Sequence, residues 1–328
     1  MKGADILKVR DLQVYYLTPV GTLKAVDKVT FSLKTGERFG LVGESGSGKS
    51  TMAFAMMRLT KPPAHIAGGE ILLDGIDLLK ISEEEMRTLR LAQIALVPQG
   101  AMDSLNPVMS IKDQIRDGLV DHLKGMRGNN LEKRVYALLE RVGLKREIAG
   151  MYPHELSGGM KQRVCLAIAI SLNPKIIIAD EPTSALDVVV QRQIMLELGE
   201  MQKSMGLAIL LVGHDMGLMA QFVDRIGVMY AGKLLEIGPI DKVFKEPLHP
   251  YTQLLISCPP TLEKKGAFRG IPGLPPLLVD PPAGCRFHPR CPQCTDNCSM
   301  GAPELNEIEP DRWVACHAVG RQVHDLFS

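Results

Sequence analysis

The sequence lacks a surplus of charge of either sign. Its 38 lysines and arginines nearly cancel 37 aspartates and glutamates, leaving a formal net charge of +1 over 328 residues. A chain this neutral does not carry the basic bias of a nucleic-acid binder. Long apolar runs are missing too. Stretches such as 176–179 and 208–212 are short against the ~20 apolar residues that a bilayer-spanning helix needs, so no membrane span is expected. Residues 1–10 alternate charged and apolar side chains without the apolar core of a secretion signal. The expectation is a chain that stays in the cytosol, where thiols remain reduced. No internal repeat stands out.

What is there is ample material for a core: 45% of the residues are apolar, enough for one large α/β domain and a smaller appendage. Residues 6–16 and 23–33 read as strands, with a turn at Thr35-Gly36. A short apolar strand at 39–42 runs into glycines and then a helical stretch, 49–59. From 82 to 172 the pattern is mostly helical, with Leu, Ile and Val spaced at three and four in 114–123 and 131–142; 94–97 is the strand exception. Residues 176–180 and 208–212 are unbroken apolar runs, as suits central parallel strands covered on both faces. Residues 225–230 and 233–237 form a hairpin across Ala231-Gly232. After about 248 the character changes and Pro and Gly crowd 270–284, which puts the main domain boundary near Pro250.

Gly43-Glu44-Ser45-Gly46-Ser47-Gly48-Lys49-Ser50 fits G-x-x-x-x-G-K-[ST]. Gly43, Ser45, Gly46 and Gly48 let backbone N–H groups close around phosphate oxygens, and the helix beginning near Lys49 aims its positive end at them. Lys49 reaches the β- and γ-phosphates of ATP, and Ser50, beside Thr51, places its hydroxyl on Mg²⁺. A random chain of this length matches the pattern in roughly one case in a hundred, and the strand-then-helix setting lowers that further. Asp180 and Glu181 end the apolar strand 176–180. An acid in that place is often a helix cap; downstream of a phosphate loop, Asp180 is better read as holding Mg²⁺ through water, with Glu181 as the general base that polarises the attacking water. Ser157, Gly158 and Gly159 open a helix at 160–172 and offer a second helix N-terminus suited to phosphate.

Leu156-Ser157-Gly158-Gly159-Met160-Lys161-Gln162-Arg163 resembles the signature motif of ATP-binding cassette (ABC) ATPases. Other segments match that family in order over residues 1 to about 250: Gln99 resembles the Q-loop glutamine, Ser184-Ala185-Leu186-Asp187 the D-loop, His214 the switch histidine, and Tyr16 the aromatic that stacks on adenine. The resemblance implies an α/β fold with a P-loop NTPase (RecA-like) core, an antiparallel β subdomain and a helical subdomain at about 85–172, all within 1–250. A small Cys-rich extension follows at 251–328. It further implies an ATPase that dimerises head to tail around two ATPs, so that Ser157, Gly158 and Gly159 meet the γ-phosphate held by the partner's loop. Glu181 activates water, His214 orients the attack, and Gln99 contacts Mg²⁺ and relays closure to a membrane subunit.

Pro247-Leu248-His249-Pro250-Tyr251-Thr252, and Ser104-Leu105-Asn106-Pro107 after Gln99, are similar to segments of the oligopeptide/dipeptide importer branch. That branch implies an ATPase energising import of peptides or related solutes, such as oligosaccharides. Its partners are two integral-membrane permeases, a second ABC ATPase (identical or related) and an extracytoplasmic substrate-binding protein, with no nucleic acid; its place is peripheral, on the cytoplasmic face of the membrane. The competing reading is a soluble ABC ATPase acting on nucleic acid or ribosomes, whose members carry two cassettes or a long coiled coil. Five cysteines lie between 285 and 316, and soft thiolates select zinc or iron–sulfur. The tail of the peptide-importer branch resembles this one, with cysteines matching Cys285, Cys291, Cys298 and Cys316 that imply a [4Fe–4S] cluster; Cys294 departs from the pattern. A structural Zn²⁺, with His288 or His317 as further ligands, is the alternative. Either metal would staple a tail that reads as too poor in apolar residues to build much core of its own.

Overall fold

A computed structural model describes residues 3–123, 128–184, 186–257 and 270–319. Ala185 of the segment 184–187, and residues 258–269 and 320–328 of the expected extension, lie outside the described residues. The chain divides into two compact units. One is built chiefly from Asp77–Val212 with Leu33–Glu37; the other from Leu7–Ser32, Arg38–Ile76 and the chain from Gly213 onward.

In the first unit three strands run parallel, Ile94–Val97 beside Ile176–Asp180 beside Ala208–Gly213, with Ile94 opposite Ile176 and Ile176 opposite Ala208. Every residue of the latter two strands is buried, which is why they read as unbroken apolar runs rather than alternating ones. Helices start where the sequence offers caps. Ser82 and Glu85 form a reciprocal capping box before Glu83–Leu89, Ser110 caps Ile111–His122, and Asp187 accepts the N–H groups of Val189 and Val190 at the head of Val188–Met205. Ile111, Ile115 and Leu119, and then Leu131, Val135, Leu138 and Leu139 of Asn129–Arg141, are the buried stripes that the spacing of three and four predicts.

The second unit carries an antiparallel sheet in the order Gly21–Lys34, Asp5–Thr18, Ala64–Leu73, Ile76–Asp77. Its other strands are Arg38–Val42, parallel to Arg225–Tyr230, which turns back as Lys233–Pro239. Ala64–Leu73 was not distinguished in the sequence, where Gly68 and Gly69 interrupt its apolar pattern.

The tail packs on the chain that precedes it. Residues Arg312–Val314 pair antiparallel with Lys233–Pro239, Trp313 opposite Ile237 and Val314 opposite Glu236, and Asn306–Glu309 adds a further strand. Arg312 is 1% exposed, 3.6 Å from the carboxylate of the fully buried Glu236, and donates to the carbonyl of Glu246. Phe287 is wholly buried among the rings of Tyr230, Tyr251 and His249, at centroid distances of 5.2, 5.2 and 5.9 Å. Such a ring contributes about 1.5–3 kcal/mol by burial. The tail is therefore packed by extending a sheet and borrowing aromatics from residues before 252.

Candidate functional site

The phosphate loop leaves the buried strand Arg38–Val42 and ends in the helix Lys49–Met56. Two glycines are required by space as well as by backbone. Gly43 has φ 154° and a Cβ there would fall 1.9 Å from the carbonyl oxygen of Met229; Gly48 has φ 102° and its Cβ would fall 2.0 Å from that of Ala25. Lys49 is 6% exposed and folds back over the loop, its Nζ donating to the carbonyls of Gly43 and Glu44 at 2.8 Å each and to Ser47 Oγ at 3.2 Å. Gly232 N–H donates to the Ser47 carbonyl at 2.9 Å, so the hairpin turn braces the loop from behind. Gly48, in the left-handed conformation, caps the helix without a side chain, and the first turn holds no acid to compete for an anion. Tyr16 places its hydroxyl 3.1 Å from Thr51 Oγ1, whereas the adjacent Tyr15 is committed to Gln13 and Asp27. Burial, reinforced by the Asp27 carboxylate, pushes the Tyr15 phenol up to about 12. His214 is exposed just past the strand Ala208–Gly213.

In the first unit, Asp180 closes the strand Ile176–Asp180 with no exposure. Glu181 follows at φ 45°, a left-handed backbone that costs a non-glycine residue about 1–3 kcal/mol. Its N–H is held by the Val212 carbonyl at 2.9 Å, and its carboxylate accepts from Gln99 Nε2 at 2.9 Å. Gln99 and Glu181 are thus brought together from positions 82 apart in the chain. Ser157 caps the helix Gly158–Ala169, two residues earlier than the sequence suggested, by accepting the N–H of Met160. A Cβ on Gly159 would fall 2.8 Å from Val190 Cγ1, so the helix beginning at Val188 crowds this turn. The sequence missed the residues that grip the phosphate loop from afar, Arg290 and Tyr251. Tyr251 stood in a segment already singled out; Arg290 offered no signal beyond lying between two cysteines.

The expected metal centre is not found as such. Among the described residues no three His, Cys, Asp or Glu side chains are grouped so as to hold a metal ion, so neither the [4Fe–4S] cluster nor the zinc alternative has a preformed cage. Cys285 and Cys298 are buried, Cys291 and Cys316 half-buried, and Cys294 exposed. The Cys285 N–H donates to the Cys298 carbonyl at 2.8 Å. Burial pushes the Cys285 thiol up to about 11, helped by Cys298, Cys316 and Cys291, so these four thiols do lie within electrostatic reach of one another. Backbone pairing and a buried ring also shape this tail. Cys294 interacts with Cys298 but stands at the surface.

These features define a nucleotide-binding cassette, and the comparisons agree. The chain matches the ABC transporter family over residues 26–184 and the oligopeptide/dipeptide transporter C-terminal region over 235–298. It is 44% identical to the oligopeptide transport ATP-binding protein OppD of Salmonella typhimurium, over 95% of this chain and 93% of that protein. It is 42% identical to the oligopeptide transport ATP-binding protein AppF of Bacillus subtilis, over 95% and 97%. Among solved structures it resembles a dimeric ATP-binding cassette in a post-hydrolysis state bound to ADP and Pi, with TM-score 0.64, 29% identity, and coverage of 71% of this chain and 98% of that one. The chain belongs to the ABC transporter ATP-binding proteins, and is an ABC ATPase. No helix among the described residues is long and apolar enough to cross a membrane.

Proposed function

We propose that this chain is the ATP-hydrolysing subunit that energises import of oligopeptides or dipeptides. The observation that carries this reading is identity of about 44% over nearly the whole chain, cassette and tail alike, to oligopeptide transport ATP-binding proteins. The matches favour it over a soluble ATPase of nucleic acid or ribosomes. Lys49 and the N–H groups of 43–51 take the phosphates, Ser50 and Asp180 hold Mg²⁺ with Gln99 at its edge, and Tyr16 stacks on adenine. Glu181, aligned by Gln99, takes the proton of the attacking water, and His214 orients the γ-phosphate. Ser157, Gly158 and Gly159 serve the ATP held by a second ATPase subunit. Two permeases would receive the closure of that pair at the cytoplasmic face of the membrane, and an extracytoplasmic binding protein would deliver the cargo.

For the tail, the chemistry of the donor set supports a [4Fe–4S] cluster on Cys285, Cys291, Cys298 and Cys316, four soft thiol donors of which Cys285 lies within electrostatic reach of the other three. Such a group would tie four points of the tail together; Zn²⁺ is the competing occupant. Anaerobic purification with iron, sulfide and zinc analysis decides between them. The transport reading is tested by uptake of a labelled dipeptide and tripeptide in cells lacking the chain. Wild type is expected to restore uptake and Glu181→Gln is not; uptake that is normal without the chain sinks the assignment.

A further inference from the structure

Glu44, the second residue of the phosphate loop, has both carboxylate oxygens taken by one guanidinium from the tail. Arg290 Nη1 donates to Glu44 Oε2 at 2.7 Å and Nη2 to Oε1 at 3.0 Å, a two-pronged pairing that fixes direction as well as distance. The remaining capacity of Arg290 is spent nearby: Nε on the Pro272 carbonyl at 2.7 Å, Nη2 also on that of Ile271 at 3.2 Å, and Nη1 also on the Tyr230 hydroxyl at 3.2 Å. Its plane lies over the rings of Tyr230 and Phe287, and its side chain is only 5% exposed. Glu44 is held at its main chain as well, its N–H donating to the Tyr251 hydroxyl at 2.9 Å. Tyr251 itself is pinned, its N–H bonded to Nδ1 of the buried His249, whose own N–H and that of Leu248 rest on the Glu236 carboxylate. Pro275, Pro276 and Leu278 wall a small crevice against Ser45, Gly46 and Ser47.

This is not a solvated surface pair of the kind that contributes little. A carboxylate beside a phosphate-binding loop repels the ligand unless a cation offsets it, and here the cation is supplied by chain that lies 246 positions away. We propose that Arg290 is a positioning residue for ATP. It fixes the phosphate loop through Glu44 and cancels that carboxylate's charge, with Tyr251 as a second anchor. ATP affinity then depends on the fold of the C-terminal tail. The short helical turn His288–Arg290 lies between Cys285 and Cys291, so whatever tightens or breaks that turn is felt at the loop. The inference rests on the phosphate-loop assignment above.

The test measures binding of a fluorescent ATP analogue with Mg²⁺ to the purified full-length chain, together with KM and kcat for ATP. Losing a charge-assisted pair at a preformed loop is expected to weaken binding about tenfold in Arg290→Ala, carried by KM while kcat stays within about twofold. Adding Glu44→Gln to Arg290→Ala removes the stranded charge, and binding is expected to recover about threefold. A merely structural lesion is not repaired by a second one. Arg290→Lys keeps the charge and much of the stem but loses the two-pronged grip, and is expected to fall between; it carries the test if the alanine variant melts too low to assay. Wild-type affinity in Arg290→Ala or Arg290→Lys, or a double variant no tighter than Arg290→Ala, overturns the proposal. A wild-type chain that binds no ATP would instead bring down the phosphate-loop assignment, and the clamp with it.

Discussion

Asp180 is held by the strand it ends and Glu181 by the neighbouring strand's Val212 carbonyl, whereas Glu44 in the phosphate loop is held by residues 207 and 246 positions further along the chain. In the first case the backbone does the work. The strand Ile176–Asp180 is wholly buried and in register with its parallel neighbours, and the next peptide is fixed by the Val212 carbonyl. In the second, an irregular loop is held by Lys49 folding back over it and by side chains from residues 251 and 290. A group at the end of a buried strand inherits its position from the sheet, while a glycine-rich loop must be braced from outside. The two regions should therefore respond differently to substitution.

The largest expected effect is at Glu181. Glu181→Gln keeps the size of the side chain and its place beside Gln99 but removes the carboxylate proposed as the base, and phosphate release should drop about a hundredfold or more with ATP affinity nearly unchanged. Turnover at the wild-type rate would mean the base lies elsewhere. Next is Phe287→Ala, buried in the cluster that backs Arg290. Chemical denaturation should show a loss of about 3–5 kcal/mol, accompanied by weaker ATP binding. A loss of stability with no change in affinity would erase the contrast between the two regions. Lys49→Ala should weaken nucleotide binding about tenfold or more, since a charge-assisted contact to phosphate is removed; an unchanged dissociation constant contradicts its role.

The smallest effect is a pH dependence located at His249. Burial pushes this imidazole down to about 3, below the usual value of about 6.5, so the folded protein holds it neutral while the unfolded chain takes up a proton. Its contribution is fully present above pH 6.5 and is lost as the pH falls from there toward 3, at a slope of up to ~1.4 kcal/mol per pH unit. The groups facing it are the Glu236 carboxylate, through the backbone of 248–249, and the Phe287 ring. In urea unfolding series between pH 7 and pH 5, His249→Gln should show a shallower decline than wild type. Equal slopes would assign the dependence to other groups.

Much of the molecule was legible because local rules dominate there. The strands 94–97 and 176–180 were placed to the residue, since each is a short unbroken apolar run rich in β-branched residues or leucine. The phosphate loop and the capped turn at Ser157 announce themselves through glycine, lysine and serine at fixed spacing. The tail was read less well, because its core is made with residues distant in sequence: Trp313 and Val314 beside Ile237 and Glu236, and Phe287 among rings from 230 to 251. Cysteine spacing suggested what ligand chemistry the tail offers but could not show what shapes it.

By itself, then, the sequence determined the glycine-rich loop between strand and helix and the strand end that carries the Asp180 carboxylate, since those depend on backbone conformation and on periodicities of a few residues. Only the tertiary structure decided that Gln99 meets Glu181 and that Tyr16 rather than Tyr15 stands beside Thr51. It alone placed the Arg290 guanidinium on Glu44. Such pairings follow from strand register and from the path of the chain through space, which no local pattern of residues encodes.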